Sequence, residues 1–582
     1  MKKFIYLAVA LATFAFTSCE DALDTESYTS SNTQNFPASF DDAEMLVTSM
    51  YANLNHAASK PESSYLLSSI IASDDCYGAL GQSYDHLQVS SDTEYDFCWE
   101  IHYKGVAAAN LAIEGLTKMV DQVSDQEKVN QLLGEAYFMR AFQYHELTEM
   151  FGRVPLILST SQDSNSPQAT EEELYGQMGA DLLKAIELMS PKKYNEYVES
   201  GHATKWAAEA LLARVWLFYT GFYQKDSMPN ADGQVITKDQ VVSLLSDCIQ
   251  NSGHALVGDF RNLWSYTNRH TVNDYKYTAG VMGVDGQPLL WAGNGNQEEV
   301  FAVKFCNFSG YTYANQKGYA NLYRTFFGFK NKGGTNASFP FGMGNAFGTV
   351  TKCLWEEWEQ SEPNDLRRTA SIARDVDEFD MSIYEDGQVT GMYDETGLWN
   401  KKCMPILSND AYALRGSWAD ALFWAAEPEY DGSGWVTPQW GALFEDYMVI
   451  RFADVLLMQS ELTGDAQYMN QVRARVGLSP VTYSLENLQR ERRHELAFEG
   501  TRWADIRRWH IAEQELAKQN GATVLNLGTE HTIRDGKYVS RYQQTQGFWP
   551  IPVAQIQLSD GVLHQNDGWG TAESLWTVWN YD

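Results

Sequence analysis

The chain has 582 residues, with 43 Lys and Arg against 76 Asp and Glu and a formal net charge of −33; 44% of residues are apolar and 13% aromatic. That is the composition of a globular protein, too apolar for a disordered chain and long enough for a sizeable core. The acid excess argues against a nucleic-acid partner, whose phosphates it would repel, and disfavours adsorption to anionic lipid.

Met1-Lys2-Lys3 is a short positive region, and residues 4–16 (FIYLAVALATFAF) form an apolar run too short to span a bilayer. Residues 1–18 therefore read as a secretory signal peptide. Small residues ending at Cys19 are similar to a bacterial lipobox, in which that Cys is acylated and becomes the new first residue. Residues 19–35, rich in Ser, Thr and Asn, read as a flexible tether. Glu20-Asp21 just after Cys19 is similar to the surface-export signal of Bacteroidetes lipoproteins, although an acidic protein has acidic tethers in any case.

The next stretch predicts helices. In 131–151, Leu133, Tyr137, Ala141, Tyr144, Leu147 and Phe151 recur at steps of three and four, with Glu135, Arg140 and Gln143 off that stripe. Gly152 and Pro155 end it. Residues 171–189 repeat the pattern, stopped by Pro191. Residues 203–219 are apolar nearly all round, which predicts a helix buried between others. Such units suggest degenerate tetratricopeptide-like helix pairs. From about 256 to 445 the chain turns rich in Gly, Asn and aromatics, with a short strand predicted at 299–305. Loops this long in a compact protein are usually functional. Helix is predicted again at 447–461 and 485–509.

Motifs with catalytic or metal chemistry fail on spacing. His494-Glu495 lacks the second His of the zincin pattern, because Phe498 stands in its place. Glu491, Glu495 and Glu499 share one helical face and are expected to pair with Arg492, Arg493, Arg502 and Arg508. Asn230-Ala231-Asp232-Gly233 is no EF-hand, since Met228 falls where the loop requires Asp. No cofactor is expected; a structural calcium ion elsewhere among the acidic loops stays open. Beyond Cys19, six scattered cysteines offer no CxxC pair, and Cys76 with Cys98 is a candidate disulfide.

Several dispersed motifs resemble one family. Residues 490–509 (RERRHELAFEGTRWADIRRW), Phe548-Trp549-Pro550-Ile551-Pro552, Gln565-Asn566-Asp567-Gly568-Trp569 and 450–458 (IRFADVLLM) are similar to blocks of the SusD/RagB family of outer-membrane nutrient-binding lipoproteins. Asp567 departs from that family's Pro. Residues 135–141, 152–156 and 204–208 agree with it. The resemblance implies a mostly α fold: a tetratricopeptide-like scaffold, about 36–255 and 446–582, with irregular loops at about 256–445 forming the binding face of a single domain over 36–582. It also implies a job, capturing oligosaccharide at the cell surface as the lid of a SusC-like TonB-dependent transporter.

Sugars stack their C–H faces on exposed aromatic rings and bind hydroxyls with polar side chains, so aromatics in polar loops are the residues to seek. Trp206, Trp216, Trp503, Trp509 and Trp99 lie in helical patterns and read as core. Two segments pass the test. The loop 74–86 offers Asp74, Asp75, Tyr77, Tyr84 and His86, and in the family this loop commonly faces ligand. The segment after the predicted strand offers Phe308, Tyr311, Tyr313 and Asn315, with Trp291 just upstream. Trp418, Trp424, Trp435 and Trp440 read first as loop core. The sequence thus points to a non-enzymatic, lipid-anchored glycan binder of the cell surface. Two alternatives are a peptide-binding RagB-like lid and a surface glycoside hydrolase with a carboxylate pair in a cleft.

Overall fold

Side-chain caps start most of the helices of the N-terminal half. The structure, a computed structural model, describes residues 36–59, 64–78, 85, 87, 95–120, 125–196, 201–269, 271–305, 321, 327–328, 339–341, 346–381, 394–406, 445–533 and 537–570. The signal peptide, Cys19 and the tether lie outside the described residues. So do Tyr84, His86, Phe308, Tyr311, Tyr313, Asn315 and the tryptophans at 418, 424, 435 and 440.

Helices α1 (Phe40–Ser59) and α2 (Tyr65–Ala72) precede strand β1 (Cys76–Tyr77). Then come α3 (Asp96–Met119), α4 (Gln126–Phe151), α5 (Glu171–Leu188) and α6 (Lys205–Phe222). The hairpin β2 (Met228–Pro229) and β3 (Val235–Ile236) leads to α7 (Lys238–Asn251). Ser64, Asp125 and Thr204 cap α2, α4 and α6, while Thr170–Glu173 and Thr237–Gln240 form capping boxes on α5 and α7. Gly152, at φ +67°, ends α4 as its sequence predicts. Each long helix lies against the next, α3 on α4, α4 on α5, α5 on α6 and α6 on α7, with α1 on α3. Small residues let the backbones close up: a Cβ on Gly105 would sit 2.5 Å from Gln143 of α4, and one on Gly134 2.5 Å from Met189. This is the predicted mostly helical scaffold of successive pairs.

Helix α4 differs from its predicted amphipathic form. From Gln131 onward it is buried all round except for a partly exposed Tyr137. Two of the polar residues expected at its surface, Glu135 and Arg140, are instead paired inside. Arg140 grips Asp181 of α5 through two bonds of 2.8 and 2.7 Å, and Glu135 accepts from Tyr51, Gln131 and His202. Helix α6 is buried nearly all round, as its sequence predicts.

The second half holds two 3-10 turns (Phe260–Leu263 and Ser265–Thr267) and strands β4 (Glu299–Val303) and β5 (Thr349–Val350). Short elements α8 (Lys352–Ser361), α9 (Leu366–Ser371), β6 (Ile372–Arg374), α10 (Asp375–Glu378) and β7 (Leu398–Asn400) follow. Next are β8 (Tyr447–Arg451), α11 (Phe452–Thr463), α12 (Ala466–Arg475), α13 (Leu485–Leu496), α14 (Arg502–Arg508) and α15 (Ala512–Ala517). The chain closes with β9 (Thr523–Asn526), β10 (Thr529–Thr532), α16 (Tyr538–Thr545) and α17 (Val553–Leu558). All the described strands form two-stranded antiparallel pairs: β1 with β5, β2 with β3, β4 with β8, β6 with β7 and β9 with β10. One contiguous apolar core runs from Ala43 to Trp569.

Three expectations are corrected. Residues 447–451 form strand β8 rather than the first turn of a helix, because they pair with β4 far upstream, Ile450 opposite Phe301 and Arg451 opposite Glu299. The predicted helix 485–509 breaks at 497–501, where Phe498 and Gly500 take φ of +66° and +81°. A side chain at Gly500 would press on Leu66, 3.1 Å from its Cβ. Cys76 and Cys98 are free, buried thiols rather than a disulfide.

The charged block forms ion pairs, but mostly with distant residues rather than within itself. Glu491 pairs with Arg367 and Arg473, Glu495 with Arg367, Arg451 and Arg475, and Glu499 with Arg451 and Lys402. Arg492 bridges Asp454 and Asp505, and Arg508 holds Asp505 and Glu461.

Candidate functional site: a polar cleft edged by tryptophan

The break between α13 and α14 and the β4–β8 pair meet at one narrow cleft. Trp264, Trp291, Tyr447 and Phe498 supply its aromatic lining; Asn294, Asn296, Glu299, Lys402, Asp446 and Glu499 supply polar groups. Trp291 is partly exposed, while Trp264 and Phe498 are buried.

Local hydrogen bonds fix each wall. Leu290 and Ala292 donate backbone N–H groups to the Asn262 side chain and carbonyl (2.9 and 2.7 Å), and Trp291 N donates to the Thr267 carbonyl at 3.1 Å. These bonds tie the segment before β4 to the 3-10 turns and hold the Trp291 backbone. The Glu299 carboxylate organises the turn beside it, accepting from Gly295 N and from the Asn296 amide at 2.9 and 3.1 Å. Asp446 N donates to the Asn294 side chain at 3.0 Å, joining the end of β8 to the same turn. The helix break places Glu499 where Lys402 and Arg451 both donate to it, each at 2.7 Å at closest.

One ammonium serves two carboxylates: Lys304 donates to Glu299 at 2.7 Å and also to Asp446. Burial, reinforced by the negative Glu299, pushes the Asp446 carboxyl up to about 8, although Lys304 opposes the shift. Burial works against the charge on Lys304, but Glu299 and Asp446 outweigh it and raise its pKa. Burial lowers that of Lys402, which donates to Glu499 and to the Glu495 carbonyl and lies 4.7 Å from the Trp264 ring centre. The Trp264 indole N–H is buried with no acceptor among the described residues. Such a cleft offers ring faces together with amide and carboxylate groups, the equipment for a polyhydroxylated ligand.

Of the described site residues, Trp291 alone lines this cleft. Asp74, Asp75 and Tyr77 are corrected in placement: they are buried at 0%, 1% and 1% exposure rather than presented on a loop. The reason is charge. Asp74 takes two bonds from Arg502 and an ion pair from Arg493, Asp75 accepts from Arg493, and Tyr77 lies in β1 against β5. Burial opposes the Asp74 charge, yet the two guanidiniums hold its carboxyl well below the usual range. Sequence reasoning missed Trp264, Asn296, Tyr447 and Asp446. The signal available was the Asn-Gly-Asn run (294–296) beside Trp291; Asp446 and Tyr447 come to it only through strand pairing. Among the described residues, no group of three or more His, Cys, Asp or Glu side chains is placed to hold a metal ion.

Fold and site together define the class: a helical-pair scaffold whose irregular connections build a polar, aromatic-edged cleft. Residues 21–217 match the family described as starch-binding associating with outer membrane, and residues 297–569 match the SusD family. A SusD-like protein of Bacteroides ovatus is 24% identical over 433 residues, covering 72% of this chain and 66% of that relative, just under two thirds of its length. SusD-like protein P2 of Formosa agariphila is 24% identical over 442 residues, 72% of each chain. Among solved structures, surface glycan-binding protein A from Bacteroides fluxus superposes with a TM-score of 0.66 at 22% identity, covering 92% of this chain and all of that one. A laminarin binding SusD-like protein gives 0.64 at 22% identity, over 91% and 99%. The chain belongs to the SusD/RagB family.

Proposed function

We propose that this protein is a cell-surface lipoprotein, anchored in the outer membrane through Cys19, that binds an oligosaccharide or polysaccharide and delivers it uncleaved to a SusC-like TonB-dependent transporter. The observation that carries the binding part is the partly exposed Trp291 at the edge of a cleft lined by amides and carboxylates. Relatives whose names state glycan or laminarin binding share the fold and support the reading. Attachment is assigned to a lipid on Cys19 from the lipobox-like run that ends there; no described helix is long and apolar enough to cross a membrane. Tyr84, His86, Phe308, Tyr311, Tyr313 and Asn315 are proposed as further contacts on their sequence alone.

The presence of Glu299 and Asp446 in one cleft keeps a glycoside hydrolase as the second reading. Both carboxylates share Lys304, which suits a structural clamp better than an acid and nucleophile working across a sugar. Incubation with a polysaccharide panel separates the two. Retardation in polysaccharide gels without new reducing ends supports the binder; new reducing ends would establish the hydrolase.

A further inference from the structure

We infer that the cleft selects uncharged glycan and turns away glycan carrying carboxylates or sulfates. This rests on the cleft being the glycan site, and the test below keeps the two claims separable.

A carboxylate leaving water for a partly enclosed cleft needs a cation or several donors to replace its hydration. The cations here already have carboxylate partners. Lys304 holds Glu299 and Asp446, Lys402 holds Glu499, and Arg451 is shared among Glu298, Glu495 and Glu499. Lys402 and Arg451 are 1% exposed, too deep to turn toward a ligand without leaving their own carboxylates buried and unpaired.

Meanwhile Glu299, Glu445, Asp446 and Glu499 line the same space, in a chain of net charge −33. Partly buried charges are screened less by salt than exposed ones. An added anion is therefore repelled at short range, with no free counterion among the described residues of the cleft to offset it. A neutral sugar meets no such penalty, since its hydroxyls donate to the carboxylates that line the cleft. Burial raises the Asp446 carboxyl to about 8 against the pull of Lys304, so at neutral pH Glu299 is the main anionic partner of Lys304 and Asp446 shares its proton. Loss of that proton above about pH 8 makes the cleft more negative, and the discrimination widens.

The test uses chemically matched pairs: starch, laminarin and galactomannan, and the same three polymers oxidised at C6 to polyuronates. The mature chain from residue 20 is run through gels containing each, at low and at high salt and at pH 7 and 9. The inference predicts that any parent polymer that binds does so at least about tenfold more tightly than its oxidised form, with the gap narrowing in high salt and widening at pH 9. A Glu299→Gln/Asp446→Asn variant, checked for an unchanged circular dichroism spectrum, should narrow the gap further; the salt series on wild type stands if that variant does not fold. Equal or tighter binding of an oxidised polymer would overturn the charge selection and leave glycan binding intact. No binding of any parent polymer or of any other neutral glycan offered would overturn both.

Discussion

Arg502 donates through Nε and Nη2 to the two carboxylate oxygens of Asp74, at 2.8 and 2.9 Å, across 428 positions of chain. Arg493 reaches the same carboxylate at 2.6 Å and also Asp75. The loop after α2 is thereby fastened to the break and turn between α13 and α14, the region that also forms the floor of the cleft.

Removing one partner of a buried pair leaves the other charge uncompensated. Arg502→Ala should therefore lower stability by about 3–5 kcal/mol. Asp74 has its folded pKa below the unfolded value, so its contribution is present above about pH 4 and is lost as pH falls further. Urea unfolding at pH 7 and at pH 3 checks both points. The gap between wild type and variant should shrink at pH 3, and a variant as stable as wild type at pH 7 would contradict the structural role of Asp74.

Glu149 titrates in the opposite sense. It is 3% exposed, its Oε2 accepts from Tyr65, and burial pushes its carboxyl from 4.5 up to about 7. A folded pKa above the unfolded one adds stability below about 4.5 that is lost as pH rises through about 7. Glu149→Gln keeps an acceptor for Tyr65 and abolishes the titration. Relative to wild type it should gain stability between pH 5 and pH 8, by at most about 3 kcal/mol. A pH-independent difference would refute the assignment.

Two tryptophans should behave differently. Trp216 is 6% exposed and donates to the Ile236 carbonyl at 2.9 Å. Trp216→Ala should lose about 3–5 kcal/mol of stability. Trp291→Ala, at a partly exposed position, should change stability by less than about 1 kcal/mol. Thermal melts of the two variants side by side decide this.

The helical scaffold was legible because it is local physics. Caps, Gly152 and the apolar stripe of α6 each act within a few residues. Strand β8 was not legible, since Tyr447–Arg451 extends only by pairing with Glu299–Val303, far away in the chain. The break after Leu496 was hidden for a related reason: Phe498 takes a positive φ to lie in the cleft wall, against its own helical propensity. Asp74, Asp75 and Tyr77 look like exposed loop residues until Arg493 and Arg502 arrive to neutralise the acids. Trp291 was legible because Gly and Asn surround it, leaving no helix or strand to bury it.

The most direct measurement is the mobility of the mature chain in native gels cast with a range of polysaccharides, wild type beside Trp291→Ala. The account predicts that wild type is retarded by at least one polysaccharide without cleaving it. The variant, folded and equally stable, should be retarded less, by about fivefold or more in affinity for the loss of about 1 kcal/mol of ring stacking. Wild type and variant retarded alike would contradict the cleft as the site, and no retardation by any glycan would contradict the function itself.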